Sequence, residues 1–391
     1  MDTLWVKKKM IGVMSTMDIL NLAEHIKEHA EEHNQEDLSV IADEFSLGHF
    51  LNVLSKTKMF RGKYVVSKRL AWTLSILEAT CYSQVGEGKK AADIIKDLYE
   101  GDYKKEVDDI ILYGNLAFMC DYKLARKIMS DAVKQIENEE SFEPLKAASA
   151  YLVLGEAEEN LQKFVRAIKY YKRALTFIQN KEQESQMILF LHFKLGALHA
   201  RNQENDEAIT YLQRTLELST ETDVEIRINS LVSLGKMYGS KKDYKKSTMY
   251  LKKSIPMLED SALVNKLVHA EAYTEMAYNY FDQSKFDDAI PYYEKAISIH
   301  LKNPNYSARE LGMIYMQYAY CLDHKEKSDK QQAGRNYEKA IEQLEKTSER
   351  DLLESAIGDV IAFFESTGNY KKKRLYEHKF VKMTNDRATI S

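Results

Sequence analysis

The chain has 391 residues, and a single hydrophobic core stops growing at about 250 to 300 residues, so the sequence predicts either several domains or a stacked repeat array. Its 4 Pro and 15 Gly are few for a protein of strands and tight turns, which favours helices joined by short connections. The 56 basic and 60 acidic residues give a net charge of −4, which excludes a general polyanion binder. No run of about 18 apolar residues exists to span a membrane, so no membrane partner is expected.

The opening of the chain and its cysteines predict a cytoplasmic location. The segment MDTLWVKKKMIGVM is basic and then apolar, but its apolar part is too short for a secretion signal and lacks a small-residue cleavage site. Cys81, Cys120 and Cys321 are odd in number and form no CxxC pair, so we expect reduced thiols.

The first 70 residues are predicted to form a small helical effector module, separate from a second domain at residues 71–391. Amphipathic helices are expected at residues 18–33, 36–45 and 48–60, separated by few residues. Short helices in this arrangement suit a helix-turn-helix. They suit equally well a bundle that only caps the repeats behind it, and the sequence leaves both open.

A basic run overlaps the end of this module. No Asp or Glu occurs from Phe45 to Leu77, in an otherwise acidic chain. Because Lys and Arg contacts to phosphate dominate nucleic-acid affinity, the run predicts a DNA-binding surface, with an ordinary solvated face as the alternative. The candidate DNA-binding residues are Lys56, Lys58, Arg61, Lys63, Lys68 and Arg69.

The rest of the chain carries a repeated pattern typical of tetratricopeptide repeats. Segments such as LVLGEAEENLQKFVRAIKYYKRAL place small residues where two helix backbones cross closely. The first such position in each repeat falls at residues 114, 155, 196, 235, 277, 319 and 361, in steps of 39 to 42, longer than the usual 34 or so. The pattern predicts an all-α fold, a right-handed α-solenoid whose concave face binds a ligand.

The concave face of such an array is lined by fixed positions of each first helix. Polar amides there could pair with an extended peptide backbone, and an arginine could clamp a peptide carboxylate with two parallel hydrogen bonds. The candidate peptide-binding residues are Glu156, Phe193, Asn229, Lys236, Thr274, Tyr278, Met316 and Tyr320, with Arg227 and Asn279 beside them.

Long repeats behind a small helical module resemble the peptide-pheromone receptors of Gram-positive bacteria and their phages, the group that includes Rap, NprR, PlcR and AimR. The segments SKFDDAIPYYEKAI and STGNYKKKRLYEHKFVKM look like Rap and NprR. The segments LELSTETDVEIRINSLVSLGKMYGSKKDYKKSTMYL, EFSLGHFLNVLSKTKMF and LSILEATCYSQVGEG look like the phage arbitrium receptor AimR, to which the chain is most similar. The resemblance covers most of the chain in architecture but only these segments at residue level.

The resemblance implies an intracellular receptor whose repeats wrap around a short signalling peptide and alter the N-terminal module. It implies a homodimeric, peptide-controlled transcription factor of phage lysis–lysogeny control, and it places Arg227 at the ligand-facing arginine of the arbitrium type. A Rap-like protein would instead bind or dephosphorylate a response regulator. The conspicuous aromatic-Arg-His run of Rap phosphatases is missing here, which disfavours that activity. A generic repeat scaffold is the third hypothesis.

No motif in the sequence predicts an enzyme, a metal site or a cofactor. His25, His29 and His33 have helical spacing, but they lie among glutamates without the HExxH order and favour a solvated helix face. GEGKKA at residues 86–91 resembles a phosphate-binding loop, but no strand is predicted before it, so we expect a turn between two helices.

Overall fold

The computed structural model describes residues 21–101, 106–138, 143–260, 267–303 and 305–388. These residues form nineteen α-helices and one short 3-10 helix, Glu182–Glu184, and contain no strand, so the predicted all-α fold of stacked tetratricopeptide hairpins is confirmed. The helices group into two compact units, unit 1 (Met1–Glu204) and unit 2 (Asn205–Ser391). None of the described helices has the length and apolar character needed to cross a membrane.

Three helices precede the first hairpin: α1 (Leu22–Glu28), α2 (Gln35–Ser46) and α3 (Phe50–Lys63). The prediction of a first helix over residues 18–33 was wrong at its C-terminal end, since α1 stops at Glu28, and residues 18–20 lie outside the described part. The buried Asn34 side chain accepts a hydrogen bond from the Glu31 backbone N–H at 2.8 Å, and this local turn competes with helix continuation. The predictions for α2 and α3 agree with the structure to within about three residues.

The remaining helices follow in pairs, and we call the first helix of each pair the A helix and the second the B helix. In unit 1 the helices are α4 (Lys68–Gln84), α5 (Gly88–Glu100), α6 (Val107–Phe118), α7 (Tyr122–Asn138), α8 (Pro144–Asn160), α9 (Phe164–Ile178) and α10 (Ser185–Arg201). In unit 2 they are α11 (Asn205–Leu218), α12 (Val224–Ser240), α13 (Tyr244–Asp260), α14 (Leu267–Asp282), α15 (Phe286–Lys302), α16 (Ala308–His324), α17 (Lys330–Leu344), α18 (Arg350–Ser366) and α19 (Tyr370–Ala388). The A helices are therefore the even-numbered ones from α4 to α18.

The small residues of the repeat lie at the helix crossings, as the sequence predicts. A Cβ atom added at Gly155 of α8 would lie 2.4 Å from Cε1 of Tyr171 on α9, well inside contact distance. The Tyr171 ring is fully buried and held by a 2.7 Å hydrogen bond from its hydroxyl to Glu159. Glycine at this crossing lets the two helices approach closely enough to bury the tyrosine.

The turns within the hairpins share a left-handed residue that the sequence pattern did not specify. Gln162, Gln203, Lys242 and Ser284 all have φ near +60°, a conformation that favours glycine. Gly86 occupies the equivalent position in the turn between α4 and α5. It follows Ala79 by seven residues, just as Gln162 follows Gly155. The α4–α5 pair is therefore a further hairpin. We did not predict it because the spacing from Ala79 to Gly114, the equivalent residue of the next repeat, differs from the regular period.

Candidate functional site

A cavity of about 500 Å³ lies on the A-helix side of unit 2. Three A helices, α14, α16 and α18, supply all but one of its lining residues, and α17 supplies Tyr337. The lining residues used below are Phe281, Met316, Tyr320, Asp323, Tyr337, Asp359 and Phe363. Two of the predicted peptide-binding residues, Met316 and Tyr320, are therefore brought together in one cavity.

One wall of this cavity is aromatic. The Tyr320 ring is 39% exposed and stacks on His324 with the ring centroids 3.8 Å apart and the planes 10° apart. Phe281 and Phe286 each meet Tyr320 edge to face at 5.6 Å. An exposed, preorganised aromatic surface of this kind suits apolar and cationic groups of a ligand.

The same cavity carries two carboxylates. Asp359 on α18 is exposed to solvent, its carboxylate forms no ion pair or hydrogen bond with any described residue, and partial desolvation raises its pKa. The Asp323 side chain is only 16% exposed and lies 3.8 Å from Nδ1 of His324. Burial, followed by the charges of Asp323 and Asp359, raises the pKa of Tyr337 between them. The cavity therefore favours a ligand with a positive charge and an apolar or aromatic part.

A second polar group lies on the A helices α12, α14 and α16. Nζ of Lys236 is 2.7 Å from Oε1 of Glu271. Partial burial disfavours the Lys236 charge, but the carboxylates of Glu271, Glu275 and Glu310 outweigh burial and raise its pKa. Burial, followed by the charges of Glu275 and Glu310, likewise raises the pKa of Tyr278. The predicted residues Lys236 and Tyr278 thus share one electrostatic environment, which is acidic.

Three other predicted residues in unit 2 are engaged within the fold. The Asn279 side chain is 2% exposed and donates a 2.6 Å hydrogen bond to the Ser247 hydroxyl. Thr274 is also buried and donates to the Ala270 carbonyl, and Asn229 donates to the Glu225 carbonyl. The Asn279 bond joins α14 to α13, whereas the Thr274 and Asn229 bonds lie within their own helices. The structure does not place Asn279 or Thr274 on an open surface.

The other two predicted residues, Glu156 and Phe193, belong to unit 1. Glu156 of α8 is 8% exposed, and Phe193 of α10 is half-buried. Neither residue lines the A-helix cavity of unit 2.

Arg227 lies in a different cavity of unit 2, of about 460 Å³, between α11, α12 and α13. Its Nη1 donates to the Ser219 carbonyl at 3.3 Å, and the surface ion pair with Glu225 or Asp223 that would compete with a ligand role is not formed. This cavity shares no lining residue with the A-helix cavity that contains Met316 and Tyr320, and a peptide role for Arg227 stays a prediction.

The basic run at the end of the N-terminal module divides into two groups. Arg61 donates through Nη2 to the Ala71 carbonyl, Ser75 and Glu78, at 3.1, 2.9 and 3.2 Å, so it fastens α3 to α4. Lys63 pairs with Asp37 at 2.8 Å. Arg61 and Lys63 are therefore already paired with acidic residues of the same chain.

The other four basic residues form no ion pair with any described residue. Lys58, Lys68 and Arg69 are exposed, and Lys56 is half-buried. Beside them, α2 and α3 are joined by residues 47–49, and Gly48 in this turn has φ +76°, a conformation that favours glycine. A three-residue turn containing glycine between two helices is typical of a helix-turn-helix.

Sequence reasoning missed Asp323, Tyr337, Asp359 and Phe363. A usable signal existed, because the four lining positions of an A helix, counted from Ile361, select Ser355, Gly358, Ala362 and Glu365 on α18, and the last of the same positions on α16 is Asp323. Two of the four residues on α18, Ser355 and Ala362, line the cavity. Tyr337 lies on a B helix, and the lining positions used for the prediction are all on A helices.

Comparison with known proteins adds evidence on the fold. Models of the tetratricopeptide repeat match residues 121–183, 187–260 and 270–303. No curated protein sequence matches the chain significantly.

Among solved structures, the apo form of RapI is similar at a TM-score of 0.60 and 14% identity, covering 92% of this chain and 99% of RapI. The apo form of the quorum sensor NprR from B. thuringiensis gives 0.54 and 15%, covering 90% and 99%. Aspartyl phosphate phosphatase F from Bacillus subtilis gives 0.51 and 14%, covering 95% and 96%. At these identities the likeness shows that the chain shares their fold.

Proposed function

We propose that this chain is a receptor for a short signalling peptide that contains a basic residue, and that the peptide controls a DNA-binding N-terminal module. The observation that carries the peptide proposal is the A-helix cavity of unit 2, where the exposed Asp359 has no ion-pair partner among the described residues and lines the same cavity as the aromatic wall around Tyr320. An ionisable carboxylate in a partly desolvated cavity is stabilised when a cation binds beside it.

A peptide fits this surface better than a compact metabolite does. The cavity is lined by three successive A helices, α14, α16 and α18, and the acidic group around Lys236 and Tyr278 lies on α12, α14 and α16. In this proposal an extended peptide places one basic side chain near Asp359 and apolar side chains against Tyr320 and Met316. We assign peptide contact to Lys236, Tyr278, Met316 and Tyr320 together with Asp359.

We further propose the arbitrium type of peptide-controlled transcription factor, as the sequence resemblance implies. The turn at Gly48 and the uncommitted cations Lys58, Lys68 and Arg69 support DNA binding over binding of a response regulator. The homodimer and the cytoplasmic location remain predictions from the sequence.

DNA binding is tested with a 30-base-pair duplex and the full chain in which Lys58, Lys68 and Arg69 are all changed to Gln. If each cation neutralises one phosphate, the slope of log affinity against log salt should fall by about 2.7. The matched control changes Lys371, Arg374 and Lys382 on α19, three exposed residues of the same types. An equal loss in both variants, or no binding by the parent chain, would reject DNA binding and favour a protein target such as a response regulator.

A further inference from the structure

The B helix α9 of unit 1 presents a basic outer surface. The helix itself contains four cations and no acidic residue, and a lysine precedes it at the N-cap. The cationic side chains are all exposed: Lys163, Arg166, Lys169, Lys172 and Arg173. Val165 lies among them in the sequence and is 74% exposed. We call these six residues the α9 basic face.

The repeat does not require this charge. The first twelve residues of α9 read FVRAIKYYKRAL, and those of α15 read FDDAIPYYEKAI. The residues they share are buried or half-buried in both helices, among them the fully buried Tyr171 and Tyr293. Apart from one leucine-to-isoleucine exchange, the two segments differ only at positions that are exposed in both helices. Because packing fixes the shared residues, the basic charge is a property of the α9 surface and not of the fold.

A second arginine, from α7, joins the start of the α9 basic face. Nη1 of Arg126 lies 3.9 Å from Oε2 of Glu158, and Nη1 of Arg166 lies 3.6 Å from Oε1 of the same carboxylate. The Glu158 side chain is buried, whereas both guanidinium groups are exposed. Because neither distance is that of a hydrogen bond, both guanidinium groups keep donors for a further acceptor. One buried carboxylate thus keeps two exposed arginines close together.

Two lysines of the α9 basic face add charge that the described part of the chain does not compensate. Lys163 and Lys169 form no ion pair with any residue that the structure describes, whereas Arg173 pairs with Glu137 at 2.8 Å. A surface with uncompensated positive charge attracts a partner of opposite charge and raises the rate of encounter.

We propose that the α9 basic face, together with Arg126, is a docking surface for an acidic protein segment that contains an apolar residue. None of its residues belongs to the peptide cavity or to the N-terminal module. Carboxylates of such a segment match the forked donors of Arg126 and Arg166, and its apolar residue covers Val165. Arginine is enriched at the energetically important positions of protein interfaces. A phosphate backbone offers charge but no apolar group for Val165, so a protein segment fits this surface better than nucleic acid does.

Fluorescence anisotropy tests this surface with the full chain and a labelled 12-residue peptide made of four Glu-Asp-Leu units. Lys163→Gln combined with Lys169→Gln should weaken binding about tenfold, because two unpaired charges are lost. Val165→Ser should weaken it about threefold, because the apolar contact is lost while the charge stays the same. The matched control is Lys242→Gln combined with Lys245→Gln, which removes two exposed lysines at the start of the B helix α13 and should leave binding unchanged.

Two further probes define the partner. A peptide of four Gln-Asn-Leu units lacks the carboxylates and should not bind. The 30-base-pair duplex should bind the Lys163 and Lys169 double variant as it binds the parent chain. The proposal is overturned if the parent chain does not bind the acidic peptide, if either the double variant or Val165→Ser keeps the parent affinity, or if both lysine double variants lose affinity equally. Parallel losses of peptide and duplex binding would likewise overturn it, in favour of a nucleic-acid surface.

Discussion

The A helices α8 of unit 1 and α18 of unit 2 have the same length and occupy the same place in the repeat, but their surroundings differ. Of 17 residues in each, 12 are buried in α8 and 5 in α18. The α8 residue Glu158 is 1% exposed between Arg126 and Arg166, at 3.9 and 3.6 Å, whereas Asp359 on α18 has no charged partner among the described residues.

This difference shows that a repeat position does not define a binding position. Neighbouring helices cover α8 on several sides, so its carboxylates serve the packing. In the described chain α18 packs mainly against α17 and α19, and a larger part of its surface stays exposed. The charge and aromatic content of its cavity, and not the exposure alone, carry the functional proposal.

The largest expected effect concerns how tightly α8 packs against α9. Gly155→Ala should lower the free energy of unfolding by about 3 kcal/mol, because the added methyl collides with a buried ring that a hydrogen bond holds in place. Gly358→Ala on α18 is the matched control, since a Cβ there meets nothing within 4 Å. That variant should gain up to about 1 kcal/mol from helix propensity. Urea unfolding measures both, and equal effects of the two substitutions would contradict the comparison.

A smaller effect concerns the titration of Glu275 on the A helix α14 of unit 2. Burial, opposed by Lys236 and reinforced by Glu271 and Asp282, raises the pKa of Glu275 from 4.5 to about 7. The folded chain therefore keeps a proton that the unfolded chain releases, so the stability contributed by Glu275 is complete below about pH 4.5 and declines as the pH rises to about 7.

From pH 5.5 to 8 the parent chain should lose about 2 kcal/mol of unfolding free energy relative to Glu275→Gln, which carries no titrating group at this position. Denaturant unfolding of both proteins at the two pH values measures the difference. Parallel pH profiles would show that Glu275 is not desolvated as the structure places it.

The smallest effect compares hairpin turns. The turn between α18 and α19 has Gly368 at its left-handed position, whereas the turn between α8 and α9 has Gln162 with φ 59°. Gln162→Gly should raise the free energy of unfolding by about 0.5 to 1 kcal/mol, because glycine adopts this conformation without steric cost. Gln179→Gly, at a position with φ −53°, should bring no gain. A loss of stability in Gln162→Gly would mean that its side chain contributes contacts beyond the turn.

The sequence predicts the helices and their crossings well, because only a small residue such as glycine or alanine fits at Gly155 and the equivalent positions, where two helix backbones pack closely. It predicts the sites less well. Asn279 has the composition of a peptide-binding residue, yet its hydrogen bond to Ser247 depends on a neighbouring repeat 32 residues away. Arg61 reads as part of a basic run, yet it pairs with Glu78, which lies just beyond the acid-free segment. Side-chain pairing across helices is three-dimensional information that local spacing does not carry.

The central claim, that the A-helix cavity of unit 2 binds a basic peptide, is tested most directly by affinity selection from two synthetic hexapeptide libraries. One library fixes an arginine at one position and the other fixes a glutamate there, and mass spectrometry measures the peptides that the full chain retains. We expect the arginine library to be retained about tenfold more, and Asp359→Asn to abolish this preference. Asp288→Asn, an exposed aspartate of α15 outside the cavity, should preserve it. Equal retention of the two libraries, or an unchanged preference in Asp359→Asn, would contradict the account.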